Sequence, residues 1–207
     1  MAEVTAIFWD LGGVVLTNGW GRADRRRAAE HFHLDWEDFQ DRHDMVASDF
    51  ETGRIRLEEY LQRTIFYRPR TFSEDQFRSF MFEQSQGQPE TIGIVKGLAD
   101  SGKYLMATLN NESLELNLHR IEKFQLRDYF AAFFSSCFLG VKKPEPAIYR
   151  LASQITQRNP DECLFIDDRV LNLECAQSLG MRTIHFRNAA KLTQELQTHG
   201  VKVSLDS

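Results

Sequence analysis

The sequence predicts an α/β protein, a doubly wound parallel sheet with a small helical bundle inserted after the first strand. Over residues 1–16 and 87–207, short apolar runs alternate with amphipathic helical segments, as in a parallel sheet with helical crossovers. Residues 17–86 are instead charged, aromatic and helical in spacing. The chain has 207 residues, 42% of them hydrophobic and 16 of them Phe, which is enough to bury a full core.

The first strand is predicted at residues 6–9, because AIFW is a continuous apolar run. It leads into Asp10 and the turn Leu11-Gly12-Gly13. A carboxylate at the end of a buried parallel strand lies where open α/β sheets hold their ligands. Asp10 is therefore the first candidate site residue.

The inserted segment follows a glycine-bearing linker at residues 17–21 and is predicted to form about four short helices. Asp35 and Ser73 are candidate N-caps for two of them. The run Arg25-Arg26-Arg27 is typical of a solvated helix face, with contact to an anionic substrate as the alternative. The spacing of three histidines fits no metal-ligand pattern, which predicts surface or hydrogen-bonded roles for His31, His33 and His43.

Downstream, strands are predicted at residues 104–108, 132–135, 163–166 and 183–186, each followed by a helix. Residues 109–112 are predicted as the exit turn of the first of these strands. Polar groups follow the strands or lie in nearby loops: Asp10, Thr108, Asn110, Lys142, Lys143, Asp167 and Asp168. Because parallel strands end at one edge of a sheet, we expect these groups to meet there.

Three carboxylates at one site would repel each other by about 3 kcal/mol per pair at ~5 Å and an effective dielectric of ~20. A cation must offset this repulsion, and Mg²⁺ suits a set of carboxylate and carbonyl oxygens. A lysine and Asn110, with neighbouring N–H groups, would stabilise phosphoryl oxygens. Asp10 could then attack phosphorus and form an aspartyl-phosphate.

These motifs resemble those of the haloacid dehalogenase-like (HAD) hydrolase superfamily, in its phosphatase-like branch with a helical (C1-type) cap and a DLGGV nucleophile loop. The resemblance rests on FWDLGGVV, TLNN, GVKKPEPAIY and FIDDRVLNLECAQSLGM. It implies a Rossmann-like core over residues 1–16 and 87–207 and a substrate-selecting cap over residues 17–86.

The resemblance also implies a role for each site residue. Asp10 would be the nucleophile and Lys143 its catalytic partner. The Mg²⁺ ligands would be Asp10, the carbonyl of Gly12, Asp167 and Asp168. The phosphate-binding set would be Thr108, Asn110, Asn111 and Gly13, and Asn172 would orient the acidic loop.

Two positions depart from the family pattern. Gly12 stands where a second aspartate usually acts as general acid, a function worth roughly 10²–10⁴ in rate. Leu109 stands before Asn110, where the family has Ser or Thr, and Thr108 lies one place early. Because side chains alternate along a strand, Thr108 could reach the site only through a bulge or register change.

The sequence therefore favours a Mg²⁺-dependent phosphohydrolase acting on a small phosphorylated metabolite, with sugar phosphates among the candidates. The alternatives are a catalytically weak binding or regulatory protein and a metal-free haloacid dehalogenase. The net charge of −5 favours neither nucleic acid nor an anionic membrane as partner. Three cysteines without CxxC spacing and no signal-like or transmembrane run predict a cytoplasmic protein. Oligomeric state has no sequence signature here.

Overall fold

The computed structural model describes residues 2–202, and its core is one five-stranded sheet. The strands are β1 Ala6–Trp9, β2 Leu105–Asn110, β3 Ala132–Ser135, β4 Cys163–Asp167 and β5 Arg182–His185. They lie in the order β3-β2-β1-β4-β5 and pair in parallel. Because the chain winds outward from β1 first in one direction and then in the other, the sheet is doubly wound, as predicted.

The helices, in chain order, are α1 Arg22–His31, α2 Trp36–Glu51, α3 Leu57–Thr64, α4 Glu74–Glu83, α5 Pro89–Asp100, α6 Leu114–Lys123, α7 Ser136–Leu139, α8 Pro146–Thr156, α9 Val170–Ser178 and α10 Ala189–Thr198. Helices α5, α6 and α10 pack on one face of the sheet, and α8 and α9 pack on the other. Within residues 2–202, no helix is both long and apolar enough to cross a membrane.

Helices α1 to α4 form the inserted bundle between β1 and α5, which confirms the predicted insertion. Their apolar side chains make a separate core that includes Phe39, Tyr60 and Phe77. Asp35 caps α2 by accepting from Asp38 N at 3.0 Å. The bundle thus has its own hydrophobic core above the carboxyl edge of the sheet, and we refer to it as the cap.

Strand β2 runs two residues further than predicted. The expected turn at residues 109–112 was wrong in its first half, because Leu109 pairs with Phe134 and Asn110 with Ser135 of β3. These partners extend the ladder beyond the point at which the local sequence becomes polar. The end of β2 therefore belongs to the sheet and keeps its strict alternation of faces.

Two linkers join the cap to the sheet and run side by side, with Thr17 N donating to Gln86 O at 2.9 Å. Arg120 of α6 is buried against both linkers. Its Nη2 donates to Thr17 O at 3.0 Å and to Asn18 O at 2.6 Å, while its Nε donates to Ser85 Oγ at 3.0 Å. A single core side chain therefore fixes both connections to the cap.

Gly19→Ala should disrupt this contact. Gly19 has a φ of 76°, and a Cβ at this position would overlap Arg120 Nη2. Arg120 also forms a buried ion pair with Glu112 at 2.8 Å, which its displacement would strain. We expect the free energy of unfolding to fall by roughly 2–4 kcal/mol, measured by chemical denaturation.

Gly93→Ala is the matched control, because a Cβ at this position in α5 would meet nothing within 4 Å. The change should be neutral or stabilising by up to about 1 kcal/mol. Equal stabilities for the two variants would show that Arg120 tolerates displacement.

Candidate active site

Asp10 lies directly after the central strand β1 and is 8% exposed. Its N–H donates to Ile166 O at 2.9 Å, and its Oδ1 accepts from Leu11 N at 2.8 Å. The following turn closes through Leu16 N, which donates to Leu11 O at 2.8 Å. These bonds hold the carboxylate at the carboxyl edge of the sheet.

Lys143, in the loop between α7 and α8, joins two carboxylates. Its Nζ lies 3.0 Å from Asp10 Oδ1 and 2.6 Å from Asp167 Oδ2. Asn111 fixes the loop, because its Nδ2 donates to Lys143 O at 2.8 Å and its Oδ1 accepts from Lys143 N at 2.9 Å. The side chain of Asn111 thus holds the lysine loop and uses one of its two amide N–H groups to do so.

Asp167 is fully buried, and both of its oxygens are engaged. Besides the contact with Lys143, it accepts from Arg169 N at 2.7 Å and from Asn172 Nδ2 at 3.0 and 3.1 Å. Asn172 was predicted to orient the acidic loop, and its contact with Asp167 is consistent with that role. Asp167 anchors the lysine and the start of α9 together.

Asp168 differs from Asp167 because its Oδ1 is buried with no hydrogen-bond partner among the described residues. One ligand oxygen from each of Asp10, Asp167 and Asp168 lies within 4.8 Å of the others. A buried carboxylate oxygen without a partner is costly unless a cation or donor reaches it. This set of hard oxygen ligands fits Mg²⁺.

Burial dominates the titration of these groups. It raises the pKa of Asp10 to about 7, against the opposing charge of Lys143, while Asp167 and Asp168 add to the rise. Burial and the charge of Asp167 also raise the pKa of Asp168. Burial alone would lower the pKa of Lys143, but Asp10 and Asp167 outweigh it and the net pKa is raised. One lysine against three carboxylates leaves an excess of negative charge that favours a further cation.

The structure does not support Thr108 as a phosphate ligand. Strand β2 pairs in unbroken register with β1 and β3, without the bulge that this role requires. Lys143 Nζ lies 5.3 Å from the ring centre of Phe165, so the site is on the sheet face that carries Phe165 and Leu109. By alternation Thr108 faces the other way, and its Oγ1 is buried with no partner in residues 2–202.

The polar groups of Asn110 and Gly13 are also engaged within the fold. Asn110 Nδ2 donates to Asn117 Oδ1 at 3.1 Å, and its Oδ1 accepts from Ser135 Oγ at 2.9 Å. Gly13 N donates to Leu16 O at 2.8 Å. One N–H of the Asn110 amide and the N–H of Gly13 are thus used within the fold, which leaves the second N–H of Asn110 Nδ2 as its remaining side-chain donor.

Gly13 instead permits the close approach of the acidic loop. It has a φ of 81°, and a Cβ there would overlap Asp168 Oδ2. The glycine is needed both for its backbone conformation and for the space that the carboxylate occupies.

Asn18 is a site residue that no sequence pattern had indicated. A Cβ on Gly12 would lie 3.4 Å from Asn18 Oδ1, so this amide stands beside the position where a second acid was expected. The Asn18 carbonyl is fixed by Arg120 and by Trp20 N, which donates to it at 2.9 Å. Only the path of the linker brings Asn18 to the site.

The role of the Gly12 carbonyl as a metal ligand stays a prediction.

A cleft of about 460 Å³ lies between Asp10 and the cap. The cap side is lined by Trp20, Arg22, Arg25, His43, Phe50 and Glu51.

The expectation that Arg25 lies on a solvated face was wrong, because Arg25 is 8% exposed. Arg25 precedes Ala28 and Ala29 by three and four positions, so all three lie on the same face of α1. This spacing is the sequence signal that could have indicated the burial of Arg25. His43 is hydrogen-bonded to Tyr60 OH at 2.9 Å, as predicted for a satisfied histidine.

A doubly wound parallel sheet, an acidic cluster with a lysine at its carboxyl edge and a helical cap above it define an α/β protein with a capped acidic site. The chain belongs to the haloacid dehalogenase-like hydrolase family, whose model matches residues 4–180. It is therefore a HAD-family hydrolase.

Flavin mononucleotide hydrolase 1 from Arabidopsis thaliana is 31% identical over 167 residues, which are 79% of this chain and 66% of that protein. Bifunctional epoxide hydrolase 2 from Sus scrofa is 26% identical over an alignment of 224 residues, covering 95% of this chain and 39% of that protein. The chain thus spans about two thirds or less of the length of these relatives.

Among solved structures, a HAD-family enzyme from Bacteroides thetaiotaomicron in complex with magnesium and inorganic phosphate superposes with a TM-score of 0.75 at 23% identity. The match covers 89% of this chain and 95% of that one. At this identity the likeness shows the shared fold.

Proposed function

We propose that the protein is a Mg²⁺-dependent phosphohydrolase that releases phosphate from a small phosphorylated metabolite through an aspartyl-phosphate at Asp10. One arrangement carries the proposal. Lys143 Nζ bridges Asp10 and Asp167, while Asp168 Oδ1 beside them has no partner among the described residues. The flavin mononucleotide hydrolase relative and the magnesium–phosphate complex of the structural neighbour support the same chemistry.

Leu11, Lys143 and Asp10 have different roles in the proposed reaction. Leu11 N and Lys143 hold the carboxylate of Asp10 in place for in-line attack on phosphorus. The Asp10–phosphorus bond forms as the bond from phosphorus to the leaving oxygen breaks, and water then hydrolyses the acyl phosphate to restore Asp10. Lys143 stabilises a phosphoryl oxygen throughout. A bound Mg²⁺, held by the carboxylates of Asp10 and Asp168 and the carbonyl of Gly12, with Asp167 supporting it directly or through water, would offset the phosphoryl charge.

Protonation of the leaving oxygen limits which substrates suit this site. Gly12 carries no acid, and the amide of Asn18 cannot transfer a proton as a carboxylic acid does. Burial, together with the charge of Arg25, lowers the pKa of His43 to about 3, so its imidazole is neutral. The favoured substrates are therefore those whose leaving group needs little or no protonation, such as acyl phosphates, which release a carboxylate, and sugar 1-phosphates.

A panel of phosphate esters assayed for phosphate release should show turnover with Mg²⁺ and its loss with EDTA. Asp168→Asn should weaken Mg²⁺ binding by roughly tenfold to a hundredfold. It should also reduce the Mg²⁺-induced rise in Tm, because less bound ion stabilises the folded state. Asp161→Asn, at an exposed carboxylate outside the site, is the control. Turnover that persists in EDTA, or wild-type Mg²⁺ binding by Asp168→Asn, would contradict the proposal.

A second candidate is a protein that binds a phosphorylated ligand with little turnover. Leu109 at a position that is polar in the family, together with the missing acid at Gly12, favours it. Phosphate analogues would then bind while the whole panel remained unhydrolysed, and efficient turnover of any ester would exclude it.

The third alternative, a metal-free haloacid dehalogenase, is disfavoured by the same electrostatics. Without a metal, the single lysine would face all three carboxylates of the cluster. Halide release from a 2-haloacid in the presence of EDTA would be the result that supports it.

A further inference from the structure

Arg25 is a buried cation on the cap side of the cleft. Its guanidinium donates from Nη1 to Trp20 O at 2.7 Å, and from Nε and Nη2 to Gln40 Oε1 at 3.2 Å each. Both acceptors are neutral. Of the five N–H groups of an arginine these contacts use three, which leaves one on each terminal nitrogen.

Within the part of the chain that the structure describes, the charge of Arg25 has no direct counter-ion. Among residues 2–202, no carboxylate forms an ion pair with it. Asp44 acts on it through a relay, because Asp44 accepts from Gln40 Nε2 at 2.7 Å rather than from Arg25 itself. Burial lowers the pKa of Arg25. Asp44 and Glu51 raise this pKa through their charges, but neither is in contact with the guanidinium. A buried charge without a partner is costly, so its retention favours an anion from outside the described residues.

Two other cations that line the cleft are already neutralised. Lys142 pairs with Glu51 at 3.0 Å, and Arg120 pairs with Glu112 at 2.8 Å. The neighbouring His43 adds no charge, because it is neutral. Arg22 and Arg169 also line the cleft without an ion pair among the described residues, but both are exposed, so water solvates their charges. Within residues 2–202, Arg25 is therefore the cation of the cap that is both buried and without an ion pair in the cleft of Asp10.

We propose that Arg25 binds a second anionic group of the substrate, so that the preferred substrates are phosphate monoesters carrying a distal carboxylate or second phosphate. The planar guanidinium fork suits the paired oxygens of either group. The transferred phosphoryl group would bind at Asp10 and Lys143, and the distal anion at the cap. This inference rests on the proposed function for the reaction at Asp10, but the binding of the distal anion can be measured separately.

The test uses phenyl phosphates, because their phenolate is a better leaving group than an alkoxide. They carry a para ω-carboxyalkyl or ω-phosphoalkyl chain of two to six carbons, each compared with the ω-hydroxyalkyl chain of equal length. At the length that spans the cleft, wild type should prefer an anionic substrate in kcat/KM by roughly tenfold to a hundredfold, as for a charge-assisted hydrogen bond. Comparison of the two anionic series distinguishes a carboxylate from a phosphate. The absence of any preference at every length would overturn the inference.

Arg25→Gln should abolish this preference, so kcat/KM should fall roughly tenfold to a hundredfold more for the anionic substrates than for the ω-hydroxyalkyl substrates. Arg25→Lys keeps the charge and should retain part of the preference. It keeps the proposal testable if Arg25→Gln fails to fold. Arg26→Gln, at the next and exposed position of α1, is the matched control and should behave as wild type. A preference that survives in a folded Arg25→Gln would assign the distal anion to another residue and refute the proposal.

Binding of the corresponding ω-carboxyalkyl and ω-hydroxyalkyl phosphonates, followed by calorimetry, separates this inference from the proposed function. Arg25-dependent preference among phosphonates without hydrolysis of any ester would support the anion site and refute the phosphatase. Ester hydrolysis without any anion preference would support the phosphatase and refute the anion site at Arg25.

Discussion

Asp10→Asn is expected to reduce phosphate release by at least about 10⁴-fold, the scale of loss on removing a nucleophile. The amide is nearly isosteric and still accepts from Leu11 N, but it is a poor nucleophile and forms no acyl phosphate. Trapping with a phosphate ester followed by mass spectrometry should find the phosphorylated aspartate in wild type alone. Phosphate release by Asp10→Asn at the wild-type rate would exclude Asp10 as nucleophile.

The same variant should change how stability depends on pH in the metal-free protein. Asp10 has its pKa raised from an ordinary value of 3.8 to about 7 in the fold, so the folded state retains a proton that the unfolded state releases. Its contribution to stability is complete below about pH 4 and is lost as the pH rises to about 7. Urea midpoints in EDTA should therefore fall less between pH 5 and pH 8 for Asp10→Asn than for wild type. Parallel midpoints for the two proteins would argue against a buried, protonated Asp10.

Lys143→Met should have the second largest effect, because it removes the charge shared by Asp10 and Asp167. We expect turnover to fall by about 10³-fold, as when a charge that stabilises the transition state is lost. Breaking this buried pair should also cost about 3–5 kcal/mol of stability. Lys191→Met, at an exposed position in α10, is the control for replacing a lysine with methionine.

Mg²⁺ affinity separates a catalytic role of Lys143 from a purely structural one. With the lysine charge gone, the three carboxylates should bind Mg²⁺ at least as tightly as in wild type, although turnover is lost. A folded Lys143→Met protein that retains turnover within tenfold of wild type would remove the lysine from the mechanism.

Local patterns in the sequence were sufficient to predict the sheet and much of the acidic site. Residues 6–9 and 132–135 were predicted as strands with the bounds that the structure has. The meeting of Asp10, Lys143, Asp167 and Asp168 followed from one rule, that parallel strands end at a common edge. Their chemical roles remain proposals, but their proximity needed no coordinates.

Other features depended on long-range contacts. The end of β2 was set by pairing with β3, which placed Leu109 on the face of Asp10 and turned Thr108 away from it. Asn18 stands beside Gly12 because Arg120, about a hundred positions later in the chain, holds the linker. Both contacts join residues that lie too far apart in the chain for a local sequence pattern to predict them.

The sequence by itself thus determined the order of strands and helices, the carboxylate and lysine groups at the sheet edge and the membership of the family. The tertiary structure alone decided which polar groups of the predicted phosphate ligands form hydrogen bonds within the fold, and that Arg25 is a buried cap charge without a counter-ion among the described residues. The reason is physical. Apolar periodicity encodes which face of an element is buried, whereas the partner of a buried polar group is chosen by packing between segments far apart in the chain.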